Sequence, residues 1–404
     1  MARPVRQIII AIYPATFPCP PDWPKGPLPL SHQDVIADTV GRSTYYPART
    51  SQLLFGTADR PRRWHKFVHQ PDGDVTVLGL EALSPDTHPN ATGLVIAHLS
   101  VRTTHPLDVV RSLSRRRGTT TGFTPQPFLD GQARVRPEAV PYTLAFVTSD
   151  GRRLPRIYRH PRYLRWSCQD QWLWALATRT NCTDIPPDRP STRVPAGERI
   201  WLSADWCGLV LRDGAALLAT RPDRGEHDRF YNHAALYAQT IYLDALLIGL
   251  LQLHGISTLE DALADALAHD HTRTLPELER QLTTFRNRLW WQHLTTSGTP
   301  NAILDALHRH HRLPARFDQI LAEINDLNRL SRENENRHVN SAIVLFTLVT
   351  VPVGIALALL QALGSQDLWL FVSVLTTAAL VTGLLLLTRP ARLVITSIRQ
   401  RLTP

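Results

Sequence analysis

The order of segments along the chain predicts an α+β domain, then a helical region, a long stalk helix and a C-terminal two-helix transmembrane hairpin. Three observations carry that order. Strand-like patterns punctuated by proline fill the chain to about Gly225 and stop there. Helical periodicity takes over after it. Two apolar runs without an ionisable side chain, Val339–Leu363 and Leu368–Leu387, lie near the C-terminus, and each is long enough to cross a hydrocarbon core of about 30 Å as a helix. The expected segments are an α/β domain at 1–225, a helical domain at 226–314, a stalk helix at 315–338, a hairpin at 339–388 with spans 339–363 and 368–387, and a basic tail at 389–404.

Strands are expected at Gln7–Tyr13, Val75–Leu80, Gly93–Val101, Tyr142–Thr148 and Arg199–Leu202. Trp206–Leu211 and Ala215–Thr220 flank Arg212-Asp213-Gly214, where Asp-Gly signals a tight hairpin. The run Ile8–Tyr13 meets Pro14 too early to be a signal peptide or a span. Tyr163–Thr180 reads as a helix bearing Trp166, Trp172 and Trp174, and the proline-rich stretch Asp184–Gly197 as an exposed loop. Beyond Gly225, Asp228–Leu253 reads as one long helix with Gly255 at its C-terminal stop. Leu259–Ala268, Leu275–Leu294 and Asn301–Arg312 follow, the last ended by Pro314. A helix opening at Ala315 meets no breaker until Pro352.

The net charge of +9 comes almost wholly from arginine, Lys25 and Lys66 being the only lysines. A basic cytoplasmic body is drawn toward an anionic leaflet. The clusters Arg60-Pro61-Arg62-Arg63 and Arg115-Arg116-Arg117 are separate and sit in no nucleic-acid motif, so no specific nucleic-acid partner is expected. Cys19, Cys168, Cys182 and Cys207 are scattered without a close pair, which suits a reducing compartment and offers no zinc or redox signature.

Arginine placement orients the hairpin. Arg329, Arg332 and Arg337 precede the first run, and Arg389, Arg392, Arg399 and Arg401 follow the second. The linker Gly364-Ser365-Gln366-Asp367 carries no Lys or Arg. By the positive-inside rule both termini are cytoplasmic, giving a multi-pass protein of the plasma membrane whose first partner is the lipid bilayer.

Two stripes mark the helix that leads into the first run. Phe317, Ile320, Ile324, Leu327, Ser331 and Asn334 alternate spacings of three and four, continued by His338 and Ser341. That is either a seam against copies of the chain or a neighbour, or the apolar face of a helix packed on its own domain. Within the run, Asn340, Thr347, Gly354 and Gln361 recur every seven residues, with Val351 and Ala358 between them. A stripe of small and polar residues in lipid serves close helix packing or lines a water-filled pathway. Pro352 suits either use, because it frees a carbonyl one turn earlier and bends the helix.

Asn336-Arg337-His338-Val339-Asn340 through Thr350-Val351-Pro352-Val353-Gly354, together with Arg286-Asn287-Arg288-Leu289-Trp290-Trp291, resembles the CorA-type divalent-cation transporter superfamily. The likeness is local from about Leu275 onward and architectural before it. It implies self-association as a pentamer, a cation pathway along the first span and gating by the cytoplasmic domain. The family carries a Gly-Met-Asn signature at the outer end of that span. Here Gln361-Ala362-Leu363-Gly364-Ser365 stands there, and Met1 is the only methionine, so magnesium selectivity does not carry over. Gln361 would supply a replacement ring of amides. Divergent CorA-like proteins also serve as membrane effectors in bacterial defence, where a regulatory domain replaces magnesium sensing. That gives a second expectation: a membrane-anchored effector, answering to a regulatory partner protein, without selective transport.

Other signals are weaker. His308, His310 and His311 lack an acid or cysteine to complete a metal site. Glu260, Asp261, Asp265 and Asp270 read as a solvated acidic face that could take a regulatory divalent ion in the family. Asp170 with His160, and Asp205 with Cys207, have no third orienting group, so no catalytic residues and no cofactor are expected. A divalent cation enters only as cargo or regulator, its ligands unassigned.

Overall fold

The computed structural model describes residues 4–30, 39–86, 88–101, 105–114, 123–151, 154–158, 166–180, 199–268, 271–296, 298–363, 369, 372–374, 376–377 and 380. The strands are β1 Pro4–Phe17, β2 Arg63–Asp72, β3 Val75–Leu83, β4 Ala91–Val101, β5 Arg134–Val135, β6 Tyr142–Ser149, β7 Arg199–Ser203, β8 Trp206–Val210 and β9 Gly214–Ala219. The helices are α1 Thr39–Ser43, α2 Ala48–Phe55, α3 Pro106–Ser112, α4 Cys168–Thr178, α5 Arg229–Gln239, α6 Ile241–Ala268, α7 His271–Arg288, α8 Gly298–His311 and α9 Leu313–Leu363. The chain divides into two compact units, one of residues 1–264 and 278–320, the other of 265–277 and 321–404.

The first unit is built on one mixed sheet in the order β2-β3-β4-β1-β6-β9-β8-β7, with β5 added beside β1. Among the described strands only β6 and β9 pair in parallel, Thr143 opposite Gly214; the other pairs are antiparallel. Both faces are covered, which is why β1 reads as a continuous apolar run. Alternation along a strand sends Ile9, Ala11, Tyr13, Ala15 and Phe17 to one core and Ile10 and Ile12 to the other. The first core is closed by α3 and α4 through Val109, Val110, Trp172, Leu173 and Leu176. The second is closed by α2, α5, α6 and α8, through Leu54, Tyr231, Leu243, Leu247, Ile303 and Leu307 among others.

That second core corrects the expected boundary at Gly225. The sheet's far face is apolar and must be covered, and the helices after Gly225 cover it, so 226–264 and 278–314 belong to the same compact unit as the strands. The expected single helix at Asp228–Leu253 is two. Asp228 caps α5 by accepting from the Tyr231 amide at 3.3 Å, and the backbone turns at Thr240 before α6 begins. Gly255 does not end a helix, and α6 continues to Ala268. A Cβ there would meet the Phe285 ring at 2.4 Å, so the glycine admits an aromatic side chain instead. The Asp-Gly hairpin forms as expected between β8 and β9, with the Leu211 amide donating to the Gly214 carbonyl at 2.9 Å. Asp184–Gly197 lies outside the described residues.

The described part of the second unit is helical: the end of α6, the start of α7, α9 from Leu321 to Leu363, and helical residues between 369 and 380. Pro276 and Pro352 sit inside helices without ending them. Gly364-Ser365-Gln366-Asp367, most of Leu368–Leu387 and the arginines from Arg389 onward lie outside the described residues.

Candidate functional site

The two apolar helical stretches differ in one physical respect. Arg229–Ala268 is long and apolar enough to cross a membrane, but its apolar stretch is almost wholly buried inside the protein. It is the core helix pair that covers the sheet. At the uncharged end of α9 the large apolar side chains among the described ones are instead exposed: Ile343 is 57% exposed, Phe346 72%, Val353 42% and Leu357 51%. Trp369, Val372 and Leu380 beyond it are exposed too.

Of the expected stripe, Gly354, Ala358 and Gln361 are also exposed, while the side chains of Asn340, Thr347 and Val351 lie outside the described residues. At 100° per residue the stripe's mean direction lies roughly 100° around the helix from Phe346, Val353 and Leu357, with Ile343 on the border between the two faces in line with Gln361. The helix therefore carries a bulky apolar face and, beside it, a face of small and polar residues.

The seam at the start of α9 meets a different fate. Phe317, Ile320, Ile324 and Leu327 are all buried within the single chain. Phe317 packs against Phe285 and Trp290, ring centroids 5.6 and 4.7 Å away. The apolar half of the seam is thus buried by the chain's own residues. The side chains of Ser331 and Asn334 lie outside the described residues.

A buried ion network, not foreseen, joins α1, α6 and three strands. Asp244 on α6 accepts from Arg42 Nε at 3.0 Å and Nη2 at 2.7 Å, and from Arg63 Nη1 at 2.5 Å. Arg63 also donates to Glu81, whose other oxygen accepts from His98 Nε2 at 2.9 Å. All five residues are fully buried. Burial pushes the Glu81 carboxyl up, but Arg63 and the hydrogen bond from His98 outweigh it and hold the group well below the usual range. Both guanidiniums lie over Phe55, 5.8 and 5.7 Å from its centroid. Arg42 Nη1, Arg63 Nη2 and His98 Nδ1 find no hydrogen-bond partner among the described residues. The signal was present in the sequence as ionisable residues set inside apolar runs: Leu80-Glu81-Ala82, Ala97-His98-Leu99 and Leu243-Asp244-Ala245.

The remaining candidates are engaged within the fold. His308 stacks on Trp290 and donates through Nε2 to Gln252 Oε1 at 2.6 Å; its burial lowers the imidazole pKa to about 4. His311 turns instead to the Arg212 carbonyl at 3.0 Å. Glu260 pairs with Arg316, Nε 2.7 Å away. Asp205 binds Arg221 at 2.9 Å, while Cys207 is buried with its thiol pushed up by burial to about 11. Ser167 caps α4 by accepting from the Asp170 amide at 3.1 Å, and the Asp170 carboxylate pairs with Arg199; His160, Cys182 and Arg115-Arg116-Arg117 lie outside the described residues. Cys19, Cys168 and Cys207 are free thiols.

No family model, curated protein or solved structure matches this chain.

Proposed function

We propose that the chain is a CorA-like membrane protein that assembles into an oligomer, a pentamer by the resemblance, and provides a cation pathway gated by its cytoplasmic domain. The observation that carries this reading is the contrast between the two apolar helices. One is buried as a core; the other has no charge over Val339–Leu363 and exposes large apolar side chains to its surroundings. Such a surface in water is unfavourable at about 25 cal/mol per Å² and calls for lipid or other helices. The adjoining stripe from Asn340 to Gln361 gives a face for neighbouring copies or for water, beside a face for lipid. The cation in this scheme is cargo. Among the described residues no cluster of His, Cys, Asp and Glu is arranged to hold a metal.

A second reading, a membrane-anchored effector without selective conduction, is favoured by Gln361-Ala362-Leu363-Gly364-Ser365 in place of the family signature. Both readings require the same topology and differ in transport. Cysteine labels at Ser365 and at either terminus should react from opposite sides of the membrane, and the protein in detergent should have the mass of a closed ring. Labelling of all three from one side would end both readings; a correctly inserted oligomer that passes no cation would leave the second.

A further inference from the structure

The arginine cluster around Pro61 splits between two destinations. Arg63 turns into the buried network, whereas Arg60 and Arg62 line a surface cleft of about 330 Å³ together with Arg49 from α2 and Arg288 at the end of α7. We propose that this cleft binds a small, multiply phosphorylated anion, with a nucleoside triphosphate as the chemistry it fits best.

The local backbone builds the arginine side of it. Gly56 ends α2 at φ +76°, and a Cβ there would strike the Arg60 carbonyl at 2.2 Å. The Thr57 amide donates to the Arg60 carbonyl at 3.0 Å and the Arg62 amide to the Phe55 carbonyl at 3.3 Å, which folds the turn back so that Arg60 and Arg62 face the same space. Gln252 fixes the opposite wall, donating to the carbonyls of Leu289 and Trp291 at 2.7 and 3.0 Å.

Among the described residues, four arginines line this cleft and no acidic residue does. Asp86 reaches Arg288 at 3.9 Å with both side chains about half exposed, too loose a pair to neutralise the group. Arg62 is held down by partial burial and by repulsion from Arg288. Such an arrangement is unfavourable alone and is relieved by a polyanion. Planar guanidinium forks match phosphate oxygens in pairs, so phosphate is the anion they fit best. The volume lies at the small end of ligand sites and suits a small molecule better than a polymer. Gln52, Asn287 and Trp291, also on the wall, offer amides and an aromatic ring to a base. Trp290, beside Trp291, is the residue that packs on Phe317 of α9. Use of the ligand as a gating signal therefore rests on the channel reading above; binding does not.

The test is calorimetric titration of the full chain in detergent with ATP, inorganic triphosphate and adenosine, in EDTA. ATP and triphosphate should bind, and adenosine should not at the same concentration. Arg62→Gln with Arg288→Gln should weaken ATP about tenfold or more. The melting temperature of the ligand-free protein should stay level or rise, since a repulsive pair is removed. If that variant fails to fold, Arg49→Gln with Arg60→Gln, both exposed, should give the same loss. Unweakened ATP binding in a folded variant, or adenosine binding as tight as ATP, would overturn the assignment. So would phosphatidylglycerol vesicles competing as well as ATP, which would give the arginines to lipid headgroups. Because binding is read in detergent and flux in liposomes, the two proposals fail separately.

Discussion

Asp244 is a carboxylate shared by two buried arginines, and its removal leaves buried charge without its partner. Asp244→Ala would leave Arg42 buried without its acid and Arg63 with Glu81 alone. A loss of about 3–5 kcal/mol is expected, read as a lower denaturant midpoint. A loss below about 1 kcal/mol, the scale of a surface pair, would mean the network is open to water. His308 gives a pH signature of opposite origin. Its pKa is lowered to about 4 in the fold, against about 6.5 in the unfolded chain. The unfolded state takes up a proton that the native state refuses, so this contribution is complete above pH 6.5 and is lost as the pH falls toward 4. The slope approaches about 1.4 kcal/mol per pH unit within that window. His308→Gln should flatten it; an unchanged slope would place the imidazole in solvent. At this scale the sequence marked which residues were unusual but not how they pair, because Arg42, Arg63 and Asp244 lie far apart in the chain and meet only across the second core.

Among the elements, α9 decides between two uses of one seam. Ile324 is 2% exposed within the single chain. Ile324→Asp should therefore lower the melting temperature of the protein itself, by the several degrees that about 3 kcal/mol produces, whatever the state of assembly. A variant that melts like wild type yet dissociates would return the seam to an inter-subunit contact. Of the strands that sequence foresaw, Gly93–Val101 and Tyr142–Thr148 have an apolar run with both faces buried, whereas Arg199–Leu202 is a partly exposed edge strand. Strand β2 was missed because it is an edge strand, buried only at Arg63, Trp64 and His65 and then increasingly exposed, with Lys66 and Pro71 in it. Those are the residues that protect an exposed edge, and they erase the strand signature. Gly255 misled for a related reason: a glycine stop and a glycine that admits a ring read alike until Phe285 is placed beside it.

For the whole molecule, the change from strands to helices at Gly225 was legible, but its meaning was not. It marks the other layer of one sandwich, since a sheet with two apolar faces needs two helical layers. The stretch of α9 from Val339 to Leu363 is the converse case, apolar in sequence and, at Ile343, Phe346, Val353 and Leu357, exposed in the fold, and it carries the proposed function. If its stripe faces a shared axis, Gly354 is the point where a side chain costs most. Copies of Gly354→Leu would set a ring of isobutyl groups in the pathway and dewet it, while leucine itself remains well tolerated in lipid. If Gly354 instead packs helix on helix, the same change should separate the subunits. The decisive measurement is cation flux through liposomes holding the purified full chain, with oligomer mass taken on the same preparation for wild type and Gly354→Leu. The account predicts flux in the wild type and its near loss in an intact Gly354→Leu oligomer. An inserted, intact wild-type oligomer that passes no cation, or an intact variant with undiminished flux, would contradict it.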